Sequence, residues 1–135
     1  MSISGASLGH SSVHDVMHTG ILTTDPSTPL RVVARLMAEQ HVHVVAVADP
    51  DHARRPYGMV TTLDIAAAAS EGAELTAGEA VAGTEIVTVS SAEALERAAA
   101  IMVEHRLEHL IVVDPATGHP TGIVSSLDIA AAYSR

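Results

Sequence analysis

Apolar residues recur at three- and four-residue spacing in two places: Leu30, Val33, Ala34, Met37 and Ala38, and again Leu95, Ala98, Ala99, Met102 and Val103. This spacing predicts an amphipathic helix in each segment. A short β segment, Ile21 to Thr24, precedes the first helix. The turn Asp25-Pro26-Ser27-Thr28-Pro29 follows it and places Pro at or near the first helical turn. Before the second helix, Ser90 and Glu93 have the spacing of a capping box. The β-branched runs Val42 to Val47 and Leu110 to Val113 end at Asp49-Pro50 and Asp114-Pro115 and read as buried strands. A turn-rich loop and another strand come next, Gly58 to Thr61 and Gly122 to Ser125. A closing helix then carries Asp64 to Ala69, or Asp128 to Tyr133. Each half of the chain therefore reads β-α-β-β-α.

The two halves are copies. GMVTTLDIAAAAS (58–70) and GIVSSLDIAAAYS (122–134) share nine of thirteen residues. A shift of 65 pairs MAEQHVHVVAVADP (37–50) with MVEHRLEHLIVVDP (102–115), and ILTTDPSTPL (21–30) with IVTVSSAEAL (86–95). Such duplication marks a repeat architecture. The expected organisation is a disordered lead-in over 1–12, repeat 1 over 13–70, a linker over 71–76 and repeat 2 over 77–135. Each repeat is too small to stand alone. The expectation is an α+β fold in which tandem β-α-β-β-α units pack about a pseudo-twofold axis, leaving two equivalent clefts between them.

Composition narrows the chemistry. In 135 residues there is no Cys, Trp or Phe, which excludes disulfides, thiolate metal sites and Cys nucleophiles. With only Tyr57 and Tyr133 as aromatics, no platform exists for stacking a run of bases. Seven basic residues, all Arg, face sixteen acidic ones for a net charge of −9. Neither a nucleic acid nor an anionic membrane surface is an expected partner. The first ten residues lack the basic and apolar regions of a signal peptide, so a cytoplasmic protein is expected. No Gly-x-Ser-x-Gly, Walker loop, His-Glu-x-x-His or dinucleotide fingerprint occurs, and no enzyme is expected.

The opening Val13-His14-Asp15-Val16-Met17, the strand ends Val47-Ala48-Asp49 and Val112-Val113-Asp114, and the twice-repeated Gly-hydrophobic-Val-Thr/Ser-x-x-Asp together resemble a CBS-domain pair, or Bateman module. The resemblance runs from about Val13 to Ala132. It departs from the family in having Ala46 and Ile111 where Pro is frequent, and in the degenerate opening Glu79-Ala80-Val81 of repeat 2. What it implies is a regulatory sensor that binds AMP, adenosine or S-adenosylmethionine between the repeats, with no required cofactor. Carried over by position, Asp64 and Asp128 would hold ribose hydroxyls, with Thr61 and Ser125 beside them. One carboxylate can accept both donors of a vicinal diol. The adenine wall of the Asp128 site would map onto Gly20 to Leu22, Val42, His43 and Val44, with Ile123 beneath the base. That of the Asp64 site would map onto Glu85 to Val87, Leu107, Glu108 and His109, with Met59. The same Asp residues also fit a plain helix-capping role, and most of the apolar residues also fit the core.

Nine His residues stand out. His10, His14 and His18 fall at i, i+4 and i+8, a metal-chelating spacing if the segment were helical, although His18-Thr19-Gly20 reads as a turn. His43 and His109 fall where relatives place phosphate-binding cations, and would serve only when protonated. Arg106 and His119 are further candidates there. Two other readings are a ligand-free interaction or structural dimer and a metal-responsive stress protein. The small-residue helix faces of Ala66 to Ala69, Ala98 to Ala100 and Ala130 to Ala132 predict a homodimer, and the resemblance implies one of a disc-like kind.

Overall fold

The structure is a computed structural model that describes residues 8–48, 58–82 and 84–135. The loop expected after Asp49-Pro50 and the first seven residues of the lead-in lie outside the described residues. In chain order the elements are α1 (Val13–Val16), β1 (His18–Thr19), β2 (Thr23–Thr24), α2 (Leu30–Gln40), β3 (Val44–Val47), β4 (Gly58–Thr61) and α3 (Thr62–Glu71). Then come α4 (Ala77–Val81), β5 (Thr88–Ser90), α5 (Leu95–His105), β6 (His109–Val113), β7 (Pro120–Ser125) and α6 (Ser126–Tyr133). The chain is thus mixed α+β, with six helices and two sheets among the described residues.

Two compact units divide the chain, and they do not follow the sequence repeats. One comprises residues 21–86; the other joins residues 1–20 to residues 87–135. The opening helix of each repeat therefore packs in the unit formed by the body of the other repeat.

In the unit of residues 21–86, the sheet order is β2-β3-β4. β2 runs parallel to β3, with α2 as the crossover, and β4 returns antiparallel with Val44 opposite Thr61. Such a connection needs a helix, because parallel neighbours cannot be joined by a tight turn. Val45, Val47 and Val60 are fully buried, and Leu30, Val33 and Met37 of α2 pack on them with Ala77 and Val81 of α4.

The other unit repeats the plan with one strand more, in the order β1-β7-β6-β5. β5 is parallel to β6, β6 antiparallel to β7, and β1 adds itself antiparallel to β7. Leu95, Leu110, Val112, Val124 and Val13 are completely buried there. Of the expected lead-in, Leu8 is 8% exposed and belongs to this core.

The recurring Gly has a packing reason in both units. A Cβ on Gly58 would come within 2.5 Å of Val81 in α4. A Cβ on Gly122 would run into the carbonyl oxygen of His18. Only glycine lets the opening segment lie this close to the strand.

Several local expectations are corrected. His18-Thr19 is a strand, and the turn falls on Gly20, with φ of +81°. Ser90 and Glu93 form no capping box: α5 is capped at Ala94, and the Ser90 hydroxyl instead takes the backbone N–H of Ala92. Ala38 and Val103, expected to face inward, are exposed, Val103 to 80%. Leu36 and Ile101 pack inward in their helices instead. His10, His14 and His18 share no helix, since α1 ends at Val16. Ala68 and Ala132 are 9% and 7% exposed and pack in their own cores, whereas Ala66, Ala67, Ala69, Ala130 and Ala131 are exposed. The strands are also shorter at their starts than β-branched runs suggest, β2 beginning at Thr23 and β3 at Val44, whereas β6 begins one residue earlier, at His109.

Both opening helices are held by an acid in the first turn. The N–H of Ser12 donates to Asp15 at 2.8 Å, and that of Thr76 donates to Glu79 at 2.9 Å. The backbone bond first, and the neighbouring hydroxyl second, hold both carboxyls below the ordinary range. Asp25 is lowered in the same way by the N–H and hydroxyl of Ser27. A carboxyl lowered in the folded state contributes stability above its unfolded pKa and loses it as pH falls through the folded one. Glu79→Gln and Asp15→Asn should therefore be less stable than the parent protein at pH 6, with the gap closing below about pH 4. Thermal melting across that range is the measurement; a gap that stays constant with pH would contradict the assignment.

Candidate functional site

Each unit contains one strand-to-helix corner built by the repeated motif. At the β7–α6 corner, the N–H and hydroxyl of Ser125 donate to Oδ2 of Asp128 at 2.8 and 3.0 Å, and the N–H of Asp128 donates back to Ser125 Oγ at 3.2 Å. At the β4–α3 corner, Thr61 and Asp64 make the same bonds at 2.8, 3.0 and 3.3 Å. These are capping boxes, and the capping role expected of both Asp residues is real. The cap uses one carboxylate oxygen. It leaves the other for a second partner, so capping and ligand binding are compatible at one residue.

In the unit with Asp128, Ile123 lies opposite Ile111 on one side and His18 on the other. His109 pairs with Ser125, and the carbonyl of Glu108 accepts from the N–H of Ser126, closing the base of the corner. Leu107 and Val87 are half-buried against the same core. Ser125, Asp128, Ile123, His109 and Glu108 are thus brought to one end of one sheet.

In the unit with Asp64, Met59 pairs with Ala46, and Val44 with Thr61. The carbonyl of Leu22 accepts from Ala46, and that of His43 from Thr62. Val42 and His43 line a groove of ≈ 360 Å³ with Met37, Thr62 and Ile65, whereas Asp64 is not part of its wall. Each candidate set from the sequence therefore spans both units. Asp128, Ser125 and Ile123 sit in one, while Leu22, Val42, His43 and Val44 sit in the other with Asp64, Thr61 and Met59.

One contact escaped the sequence reading. Nε2 of His18 lies 2.9 Å from Oδ1 of Asp128, the oxygen that the cap leaves over. A signal was present: with the capped opening helices aligned, Ser12 on Thr76 and Asp15 on Glu79, His18 stands opposite Ala82, so the two repeats differ at this position. Among the described residues, no three His, Cys, Asp or Glu side chains gather to hold a metal ion. No helix among them is long and apolar enough to cross a membrane.

The CBS domain family model matches residues 13–71 and 78–135, and the chain belongs to that family. It is 31% identical over 122 residues to the CBS domain-containing protein YhcV of Bacillus subtilis, covering 89% of this chain and 84% of that one. It is 34% identical over 119 residues to a homoserine O-acetyltransferase of Methanosphaerula palustris, covering 88% of this chain but spanning only 23% of that protein. Among solved structures, the CBS domain pair of protein MJ0100 with 5′-methylthioadenosine and S-adenosyl-L-methionine superposes with a TM-score of 0.82 at 21% identity, covering 93% of this chain and 97% of that one. The CBS domain protein PAE2072 from Pyrobaculum aerophilum, complexed with AMP, gives 0.79 at 22% identity, covering 87% and 89%.

The caps can be tested without any ligand. Thr61→Ala and Ser125→Ala should each cost about 1 kcal/mol of stability in urea unfolding, as for other Ser/Thr caps. A cost near zero would mean that these corners hold without their boxes.

Proposed function

We propose that the protein is a non-catalytic regulatory module of the cytoplasm that binds an adenosyl ligand: AMP, adenosine or S-adenosylmethionine. The observation that carries this reading is the pair of capped corners. Each presents an aspartate whose Oδ2 is held by the cap, so that the cap leaves Oδ1 over. A carboxylate so oriented suits a vicinal diol, which brings two donors to one acceptor group. Relatives of the same fold have been solved with 5′-methylthioadenosine, S-adenosylmethionine and AMP. The aliphatic residues Ile123, Met59, Leu22, Val42, Val44, Val87 and Leu107 are the proposed surroundings of the base, and His43, Glu108 and His109 those of the 5′ group.

Charge sets the class of ligand. The chain has no Lys, carries −9 overall and places Glu108 and Val44 where a phosphate-binding residue is expected. Each added phosphate meets more repulsion, so AMP should bind more tightly than ATP. Asp64→Ala and Asp128→Ala should each abolish one binding event, with a loss of roughly 2–4 kcal/mol for two charge-assisted hydrogen bonds. Isothermal titration with AMP, ATP and S-adenosylmethionine measures this. Unchanged affinity in both variants would reduce the two carboxylates to helix caps.

The protein is further proposed to form homodimers. Leu63 and Leu127, the second residues of α3 and α6, are 74% and 73% exposed. Large aliphatic side chains at equivalent places in two repeats are what a shared interface would cover. Leu63→Arg and Leu127→Arg should lower the mass seen by light scattering to that of a monomer without changing the melting profile of the fold. A wild type that is monomeric at high concentration would refute the dimer.

A further inference from the structure

A carboxylate offers about four acceptor positions, two on each oxygen. At Asp128 three are occupied: Oδ2 takes the N–H and hydroxyl of Ser125, and Oδ1 takes His18. A diol delivering two hydrogen bonds finds one position. At Asp64 the bonds from Thr61 take Oδ2 alone, and the alignment of the capped opening helices puts Ala82, which has no hydrogen-bonding side chain, opposite His18.

The imidazole is placed by the backbone. β1 is locked onto β7 with His18 opposite Ile123 and Thr19 opposite Gly122, and the N–H of Gly20 continues the pairing to Thr121 at 3.1 Å. The ring itself is loosely held, with 76% of its side chain exposed against 11% for Asp128. An exposed partner can swing away at small cost, whereas the half-buried carboxylate cannot.

We propose that His18 is a specificity-determining residue of the Asp128 half-site: it occupies the oxygen that a ligand diol needs, so ligand binds there only in exchange for the imidazole, and less readily than at Asp64. This rests on the diol-binding reading above. A protonated ring holds the carboxylate by charge as well as by hydrogen bond, and a neutral ring by hydrogen bond alone. The exchange therefore becomes easier as pH rises. β7, the strand packed against β1, brings no titratable side chain. α1 brings His14 and Asp15, α6 brings Asp128 and Tyr133, and β6 brings His109.

The test uses 5′-methylthioadenosine, which has the diol and no phosphate, in calorimetric titrations of the full chain. In an Asp64→Ala background, which isolates the Asp128 half-site, adding His18→Ala should raise affinity about fivefold at pH 6 and less than about twofold at pH 8.5, the scale of an exposed ion pair. His18→Gln, still able to donate but never charged, should give an intermediate affinity that does not change with pH. Melting curves establish that each variant folds. Equal affinities with and without His18 at pH 6, a loss of affinity on removing it, or the same pH slope in both proteins would overturn the proposal while leaving the diol site intact. No binding to the parent chain or to any variant would overturn the diol reading itself, and this proposal with it.

Discussion

The reciprocal hydrogen bonds of Ser125 with Asp128, and of Thr61 with Asp64, fix the corner at which a strand becomes a helix. The strand stops there, because the N–H of its last residue, Ser125 or Thr61, is turned to the carboxylate of the cap. The helix must start, because its orphan donors are satisfied there. The same bonds set the rotamer of the carboxylate, so its second oxygen points in a direction decided by the backbone. Strand pairing then adds the surroundings: Ile123 and His109 on one corner, Val44 and Met59 on the other. A corner assembled this way is held by its own backbone and strand pairing.

Much of this was legible in the sequence. The order β-α-β-β-α appeared twice from apolar spacing, β-branched runs and turn residues, and Leu30, Val33 and Met37, like Leu95, Ala98 and Met102, form the buried helix faces that their spacing required. Positions at the edges of those faces were not legible. Val103 and Ala38 satisfy the period, yet are exposed, while Ile101 and Leu36 pack inward. Ser90 and Glu93 had the right spacing for a cap, but the chain spends Ser90 on a turn at Ala92 and begins the helix later. Local patterns cannot say which of two local hydrogen-bond schemes will prevail.

The contact of His18 with Asp128 was illegible for a different reason. The two residues are 110 positions apart, and β1 is only two residues long. Nothing in so short a segment announces a strand. Its pairing is permitted by Gly122 in the other repeat, where the absence of a Cβ admits the His18 backbone. The repeats remain alike in core and caps, while a substitution at one edge position distinguishes their carboxylates.

The division of the chain into units also bears on how it folds. Residues 21–86 form a continuous segment, whereas the other unit is assembled from two separated stretches, residues 1–20 and 87–135. The continuous unit can form from contacts within itself as soon as its last helix is available. The discontinuous one must bring β1 to β7 across everything between them, and closing so long a flexible loop is slow and entropically costly. Once the inserted unit has folded, that loop is no longer flexible; its ends are carried by a compact body. The fold thus has a built-in order of assembly. In the order of synthesis, residues 11–19 would wait unpaired until residues 91–95 and then β7 had emerged.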